Sequence, residues 1–334
     1  MTKTKIRDTD LVTLSATIRF RETKLLTEDR IERMLEATRF EDAAKQLEEC
    51  GYPDLSGYDV FGIEDALSRR RAEIYDELSK TETARPIVNL FRLKFDYHNV
   101  KTLVKSMGAN EDATRILSES GCVGATELTE AFISGERAEL PESLRTAISE
   151  GVSTLSRTSN PQLSDVTADR LYYRELSATA AATKNATVIG YVKLLIDGAN
   201  LRTFVRSART KKTREFLTGA LFDGGNASKK EILELEYTGE GVLTVFREPQ
   251  LYEAVKLVPQ TLGGGTQTEF EREIDNAATR YTESVKLAPF GAAVVLRYLL
   301  SLDWEMTAVR MILSGHIAGV AAKTIRERLR EAYV

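Results

Sequence analysis

Histidine is almost missing from this sequence: His98 and His316 are the only two in 334 residues. That leaves little material for a metal cluster or a general base. Cysteine is equally scarce. Cys50 and Cys122 are too few for a disulfide framework and fit a reducing compartment; both are expected as small buried hydrophobes. No basic excess exists, since 46 Lys and Arg face 50 Asp and Glu for a net charge of -4. General nucleic-acid binders normally carry a strong positive surplus, so that partner class is not expected. No run of eighteen apolar residues occurs. The nearest approach, Leu287–Leu302, contains Pro289 and Arg297 and is expected as a buried helix. The opening MTKTKIRDTD has no apolar stretch of the kind a signal peptide needs. Alternation of period two is nearly absent, which excludes a β protein and leaves an all-α fold.

What is present is a repeat. Leu93–Ser106, LKFDYHNVKTLVKS, returns 101 residues later as Leu194–Ser207, LLIDGANLRTFVRS. Asp96, Asn99 and Thr102 meet Asp197, Asn200 and Thr203, and Lys101 and Lys105 meet Arg202 and Arg206, so charge is kept where identity is not. A weaker copy at Leu302–Ser314, LDWEMTAVRMILS, puts Glu305 at the acid's place and Arg310 at the cation's. Ala308 stands where the other copies have asparagine. Self-similarity at this spacing implies three related helical domains, taken as residues 1–110, 111–212 and 213–334.

Each copy reads as an amphipathic helix. Val100, Leu103, Val104 and Met107 form one stripe, and Leu201, Phe204, Val205 and Ala208 form its counterpart. Asp96 falls inside the apolar face, where an unpartnered acid is costly. Arg92 and Lys193 lie one turn earlier and are candidate partners. The acids are expected to fix each domain, with a junction or partner contact as the sharper alternative. Asp96, Asn99, Lys101, Asp197, Asn200, Arg202, Glu305 and Arg310 are therefore the candidate structural or interface residues.

Helix signals fill the remainder. Thr27 caps a helix that begins with Glu28 and Asp29. Pro86 opens and Gly108 closes the long helix of the first copy. Ser153–Ser164 reads as a linker, Ser228 with Glu231 as a capping box, and Phe290–Leu302, Glu305–Leu313 and Ile317–Ala332 as three closing helices. No enzyme signature survives inspection. FDGGNASKK at Phe222–Lys230 lacks phosphate-loop spacing and follows no strand. Ser314-Gly315-His316 has no matching acid, and His316 is expected at the surface or as a cap. Lys323, Arg326, Arg328 and Arg330 alternate with Glu327 and Glu331 as a solvated face would, with an acidic partner as the second option. No catalytic residue, cofactor or metal ligand is assigned.

RLKFDYHNVKTLVKS, IDGANLRTFVRSAR and the closing stretch from Pro289–Phe290 through Tyr298, Glu305 and Arg310 to Ile325–Tyr333 resemble the C subunit of prokaryotic V/A-type rotary ATPases, whose eukaryotic counterpart is the d subunit. The resemblance spans essentially the whole chain, including the opening LSATIRFRETKLLT. It implies a funnel-like body of three pseudo-symmetric domains. It implies a non-catalytic subunit that sits peripherally at the cytoplasmic face of a prokaryotic membrane. Its partners would be the proteolipid ring and the central shaft, between which it passes torque for H+ or Na+ transport or ATP synthesis. The residues alone leave a second reading open, a helical-repeat scaffold for soluble partners, which would not co-purify with a ring.

Overall fold

A computed structural model describes residues 5–109 and 113–330. Its α-helices in chain order are α1 Val12–Glu22, α2 Glu28–Glu36, α3 Phe40–Lys45, α4 Val60–Ser79, α5 Arg85–Ala109, α6 Ala125–Ser134, α7 Glu142–Thr158, α8 Pro161–Thr183 and α9 Ala186–Arg209. There follow α10 Arg214–Ala220, α11 Lys229–Glu234, α12 Val242–Val245, α13 Tyr252–Lys256, α14 Val258–Leu262, α15 Gln267–Glu283, α16 Ala292–Ile317 and α17 Ala322–Arg326. No strand occurs among the described residues, so the all-α expectation holds. None of these helices is long and apolar enough to cross a membrane.

The chain divides into two compact units. One is Met1–Lys5 with Ala72–Glu234; the other joins Ile6–Arg71 to Leu235–Val334, so segments from both ends of the chain share a core. In the first unit α5 packs against α7 and α8, and α8 against α9. Tyr97, Val100, Leu103 and Val104 of the first repeat bury there against Leu144, Ala147 and Ile148 of α7 and Ala168 and Leu171 of α8. Gly151 of α7 packs beside Val104, and its carbonyl accepts from Ser164 Oγ at 3.0 Å. In the second unit α16 is the central rod, packed against α1, α2, α3 and α15. Val309, Ile312 and Leu313 of the third copy are fully buried along it.

Several expectations change in detail. Met107, the last position of the first stripe, is exposed. The segment expected as a linker is mostly helix: α7 runs to Thr158 and α8 starts at Pro161. Pro161 is preset for a first helical turn, and Asn160 caps it by accepting from Gln162 N–H at 3.0 Å. Phe290–Leu302 and Glu305–Leu313 are one helix, α16, because Asp303 and Trp304 carry no breaker. Its start lies later than expected, so Leu287 stands outside it, 95% exposed. The last expected helix shrinks to α17, after a turn through Gly319 with φ +66°; residues 331–332 of that expectation, like Tyr333, lie outside the described residues. Cys50 is buried as expected, but Cys122 is exposed. Two of the capping signals are realised, since Arg30 N–H donates to Thr27 Oγ1 at 3.3 Å and Ser228 and Glu231 exchange bonds of 3.1 and 3.2 Å, whereas Gly108, expected to close the long helix, lies inside α5.

Candidate functional site

The repeated acids do one job in each copy, joined by an amide in the first two: they hold a returning loop against the long helix. Asp96 Oδ1 accepts from Val123 N–H at 3.1 Å. Asp197 accepts from Asn226 and Ala227 N–H, both at 3.0 Å. Glu305 accepts from Leu26 N–H and from Tyr52 Oη, both at 2.6 Å. Val123, Ala227 and Leu26 each lie two residues before the first residue of a short helix, α6, α11 and α2. One acid therefore anchors the approach to one helix three times. Three residues along, Asn99 both donates to Ser118 C=O at 2.8 Å and accepts from its N–H at 2.9 Å. Asn200 makes the same pair with Phe222 at 2.9 and 2.8 Å. Ser118 and Phe222 precede the acid's partners Val123 and Ala227 by the same five residues, so the loop is held at two matched points.

The third copy differs in a correlated way. Asp96 and Asp197 press against glycines, Gly121 and Gly225, where an added Cβ would overlap the carboxylate. The position corresponding to these, two before Leu26, is Lys24. Glu305, one methylene longer than aspartate, stands at the acid's place in this copy. Ala308 supplies no amide to this loop, which the acid anchors through Leu26 N–H.

Asp96 is not paired with Arg92 as the helix spacing suggested. Arg92 donates to Gly121 C=O at 2.9 Å and pairs with Asp76 rather than Asp96. Asp96 Oδ2 is buried without a hydrogen-bond partner, and burial pushes the carboxyl up to about 6. Burial also raises Glu305, against the opposing pull of its two donors. In turn Glu305 holds the Tyr52 phenol well above its usual range, second to burial.

The candidate cations separate into two groups. Lys101 meets Asp169 of α8 at 2.7 Å. With Arg202 it lines one cleft, so the first two copies bring their kept charges together. Arg310 instead binds Glu64 of α4 within the second unit, Nη2 to Oε1 at 2.7 Å. Two members of the basic run near the end are satisfied internally, Arg326 by Glu32 at 2.6 Å and Arg330 by Asp275 at 2.7 Å. His316 Nε2 bonds Met34 C=O at 2.8 Å, a tie between α16 and α2. Glycines 121 and 225 and Tyr52 were missed in the sequence. A Gly two residues before the anchored N–H in the first two copies was the available signal, visible only once the loop registers are known.

The amide clasp leads to a measurable expectation. Asn200→Ala leaves both polar groups of Phe222 buried and unpaired, at about 1–3 kcal/mol for each such group. Asn200→Asp retains the acceptor and loses the donor, so it should fall between wild type and alanine in chemical denaturation. Equal stability of all three proteins would remove the clasp from the account of this loop.

Comparison with known proteins matches these features to one family. The model of the ATP synthase (C/AC39) subunit family fits residues 14–328. The C subunit of the V-type sodium ATPase of Enterococcus hirae is 22% identical over 324 residues, covering 96% of this chain and 98% of that protein. The C subunit of the A-type ATP synthase of Thermococcus kodakarensis is 24% identical over 334 residues, with 95% and 89% covered. That of Thermococcus onnurineus is 26% identical over 336 residues, with the same coverage of 95% and 89%. This chain belongs to the ATP synthase (C/AC39) subunit family.

Proposed function

We propose that this chain is the non-catalytic coupling subunit of a V/A-type rotary ATPase. It sits peripherally at the cytoplasmic face of the membrane, on the proteolipid ring, and receives the central shaft. The observation that carries this reading is the match of the C/AC39 family over residues 14–328, with relatives of both the V-type and the A-type covered nearly end to end. The buried polar groups support it. Asp96, Asn99, Asp197, Asn200 and Glu305 are all occupied in fixing loops to helices, which is what a torque-bearing body needs. Close-packed interiors deform little and transmit strain.

We further propose that the three domains of residues 1–110, 111–212 and 213–334 are joined through these clasps. Asp96 in the first holds Val123 in the second, Asp197 holds Ala227 in the third, and Glu305 holds Leu26 back in the first.

Two measurements test the function. From detergent-solubilised membranes the tagged chain should co-purify with a proteolipid ring, and its recovery with soluble proteins alone would support the scaffold reading instead. The isolated chain should bind no ATP in a calorimetric titration with Mg2+, because FDGGNASKK serves as a clasped loop and capping box. Micromolar, Mg-dependent binding would contradict a purely mechanical role.

A further inference from the structure

Where the central rod of the second unit begins, large apolar side chains stand in water. Leu287 and Phe290, on the turn between α15 and α16, are 95% and 37% exposed, and Phe20 and Val12 of α1 are 69% and 47% exposed. Two hydrogen bonds hold the turn against α1: Arg19 Nη2 donates to Ala288 C=O at 2.8 Å, and Gly291 N–H donates to Ser15 Oγ at 3.0 Å. Val12, exposed Ala16 and Phe20 recur every fourth residue, so they form one stripe beside the edge that carries Ser15 and Arg19. Single exposed apolar residues are ordinary, but a group of them marks a contact surface. The polar groups of this edge are turned inward. Thr17 Oγ1 donates to Thr13 C=O at 3.3 Å, Thr23 Oγ1 to Phe20 C=O at 2.7 Å, and Ser284 Oγ to Tyr281 C=O at 2.6 Å. In the turn itself the N–H groups of Val285, Lys286 and Ala288 bond to the carbonyls of Thr282, Glu283 and Val285. Donors already satisfied lose little when they leave water. The acids alongside are bonded too: Asp8 accepts from Ala292 N–H at 2.9 Å, Glu22 from Arg19 at 2.8 Å, and Glu283 from Arg297 at 3.2 Å.

We propose that this edge dips into the headgroup boundary of a lipid bilayer. Its shape selects fluid lipid over a folded partner. Leu287 projects almost wholly from a turn, so a protein would need a pocket matched to it, whereas lipid closes around a projection of any outline. The charge at the rim has the sign that lipid phosphates attract: Lys24, one turn beyond Phe20, is exposed, while the acids nearby are held by the bonds just described. Apolar side chains buried to a shallow depth, with an ammonium group at headgroup level, are how interfacial segments hold a membrane. A second copy of the chain fits less well. In a two-fold dimer the same edge meets itself and brings no acid to Lys24. The choice of a bilayer rests on the peripheral placement proposed above, to which it adds a direct lipid contact separate from the ring.

The test floats the full chain with vesicles of phosphatidylcholine, either pure or mixed in equal parts with phosphatidylglycerol. Binding to both, and tighter to the mixture, is expected. Phe20→Asp with Leu287→Asp should weaken it by about tenfold or more. Lys24→Glu should reduce the preference for the mixture by about threefold. The same charge change on apolar side chains exposed elsewhere, Phe61→Asp with Ile133→Asp, should leave binding within about twofold. Leu287→Trp adds a second indole to Trp304, and its added emission should be quenched by lipid brominated on the acyl chains. Melting curves confirm that each variant folds. Absence of binding to both vesicles, equal loss in the control pair, or unquenched Leu287→Trp emission would overturn the proposal. So would a dimer, seen by sedimentation without lipid, that Phe20→Asp with Leu287→Asp abolishes. Co-purification with the ring, measured on the same variants, separates the two readings: a chain that recovers the ring but binds no vesicle retains the coupling role and loses the lipid seat.

Discussion

Asp197→Ala is expected to lower the melting temperature of the purified chain by about 10 °C. The carboxylate receives two backbone N–H groups, from Asn226 and Ala227, and is itself 1% exposed. Each buried donor left without a partner costs about 1–3 kcal/mol, and in a unit of this size each kcal/mol is worth about 2–4 °C. Gly225→Ala attacks the same contact from the other side, because its Cβ would overlap Asp197 Oδ1. The two substitutions should not add. Once Asp197 is alanine, the space the carboxylate leaves accepts the new methyl, so the double variant should melt close to Asp197→Ala alone. Differential scanning calorimetry on the four proteins decides it. Full additivity would mean that the glycine and the acid act independently, and an unchanged Asp197→Ala melt would place that residue at a partner contact instead.

The second large effect is a pH dependence carried by Asp96. Burial raises its carboxyl to about 6 in the folded chain, against about 3.9 when unfolded. The native state therefore keeps a proton that the unfolded chain has already released. Its contribution is fully present below about pH 4 and is lost as pH climbs through about 6, at a cost on the order of 3 kcal/mol. Asp96→Asn stays neutral throughout and still offers an acceptor to Val123 N–H. Relative to wild type, the asparagine variant should gain stability as pH rises from 4 to 7, measured by denaturant unfolding at each pH. Parallel profiles for the two proteins would show that the carboxylate is not strained by its burial.

The repeat was legible in the sequence because it rests on short-range periodicity. Val100, Leu103 and Val104 pack as the 3.6-residue pattern requires, and the acids at 96, 197 and 305 are buried as their place on the apolar face implied. Their partners were not legible. Arg92 sits at the spacing for an intrahelical pair, yet it serves Gly121 and Asp76. A buried loop with open N–H groups satisfies an acid without bringing a second charge into the core. Those N–H groups lie 27 to 30 residues away in the first two copies and near the other end of the chain in the third. No local pattern encodes such a distance. The grouping of Ile6–Arg71 with Leu235–Val334 in one compact unit is likewise a pairing that hydrophobic periodicity cannot express. The departure at Ala308 was visible but its consequence was not. Only with the loop in place does the loss of an amide coincide with the longer acid Glu305 and with Lys24 in place of a glycine.

The most direct test of the coupling role is made in inverted membrane vesicles from a strain that lacks this chain but retains the head and the ring. ATP hydrolysis by the head should persist while ATP-driven ion transport is absent, and purified wild-type chain added back should restore transport. Asp197→Ala protein, assayed above its own melting transition and below that of wild type, should fail to restore it. Transport at the wild-type level in vesicles without the chain would contradict the coupling role outright.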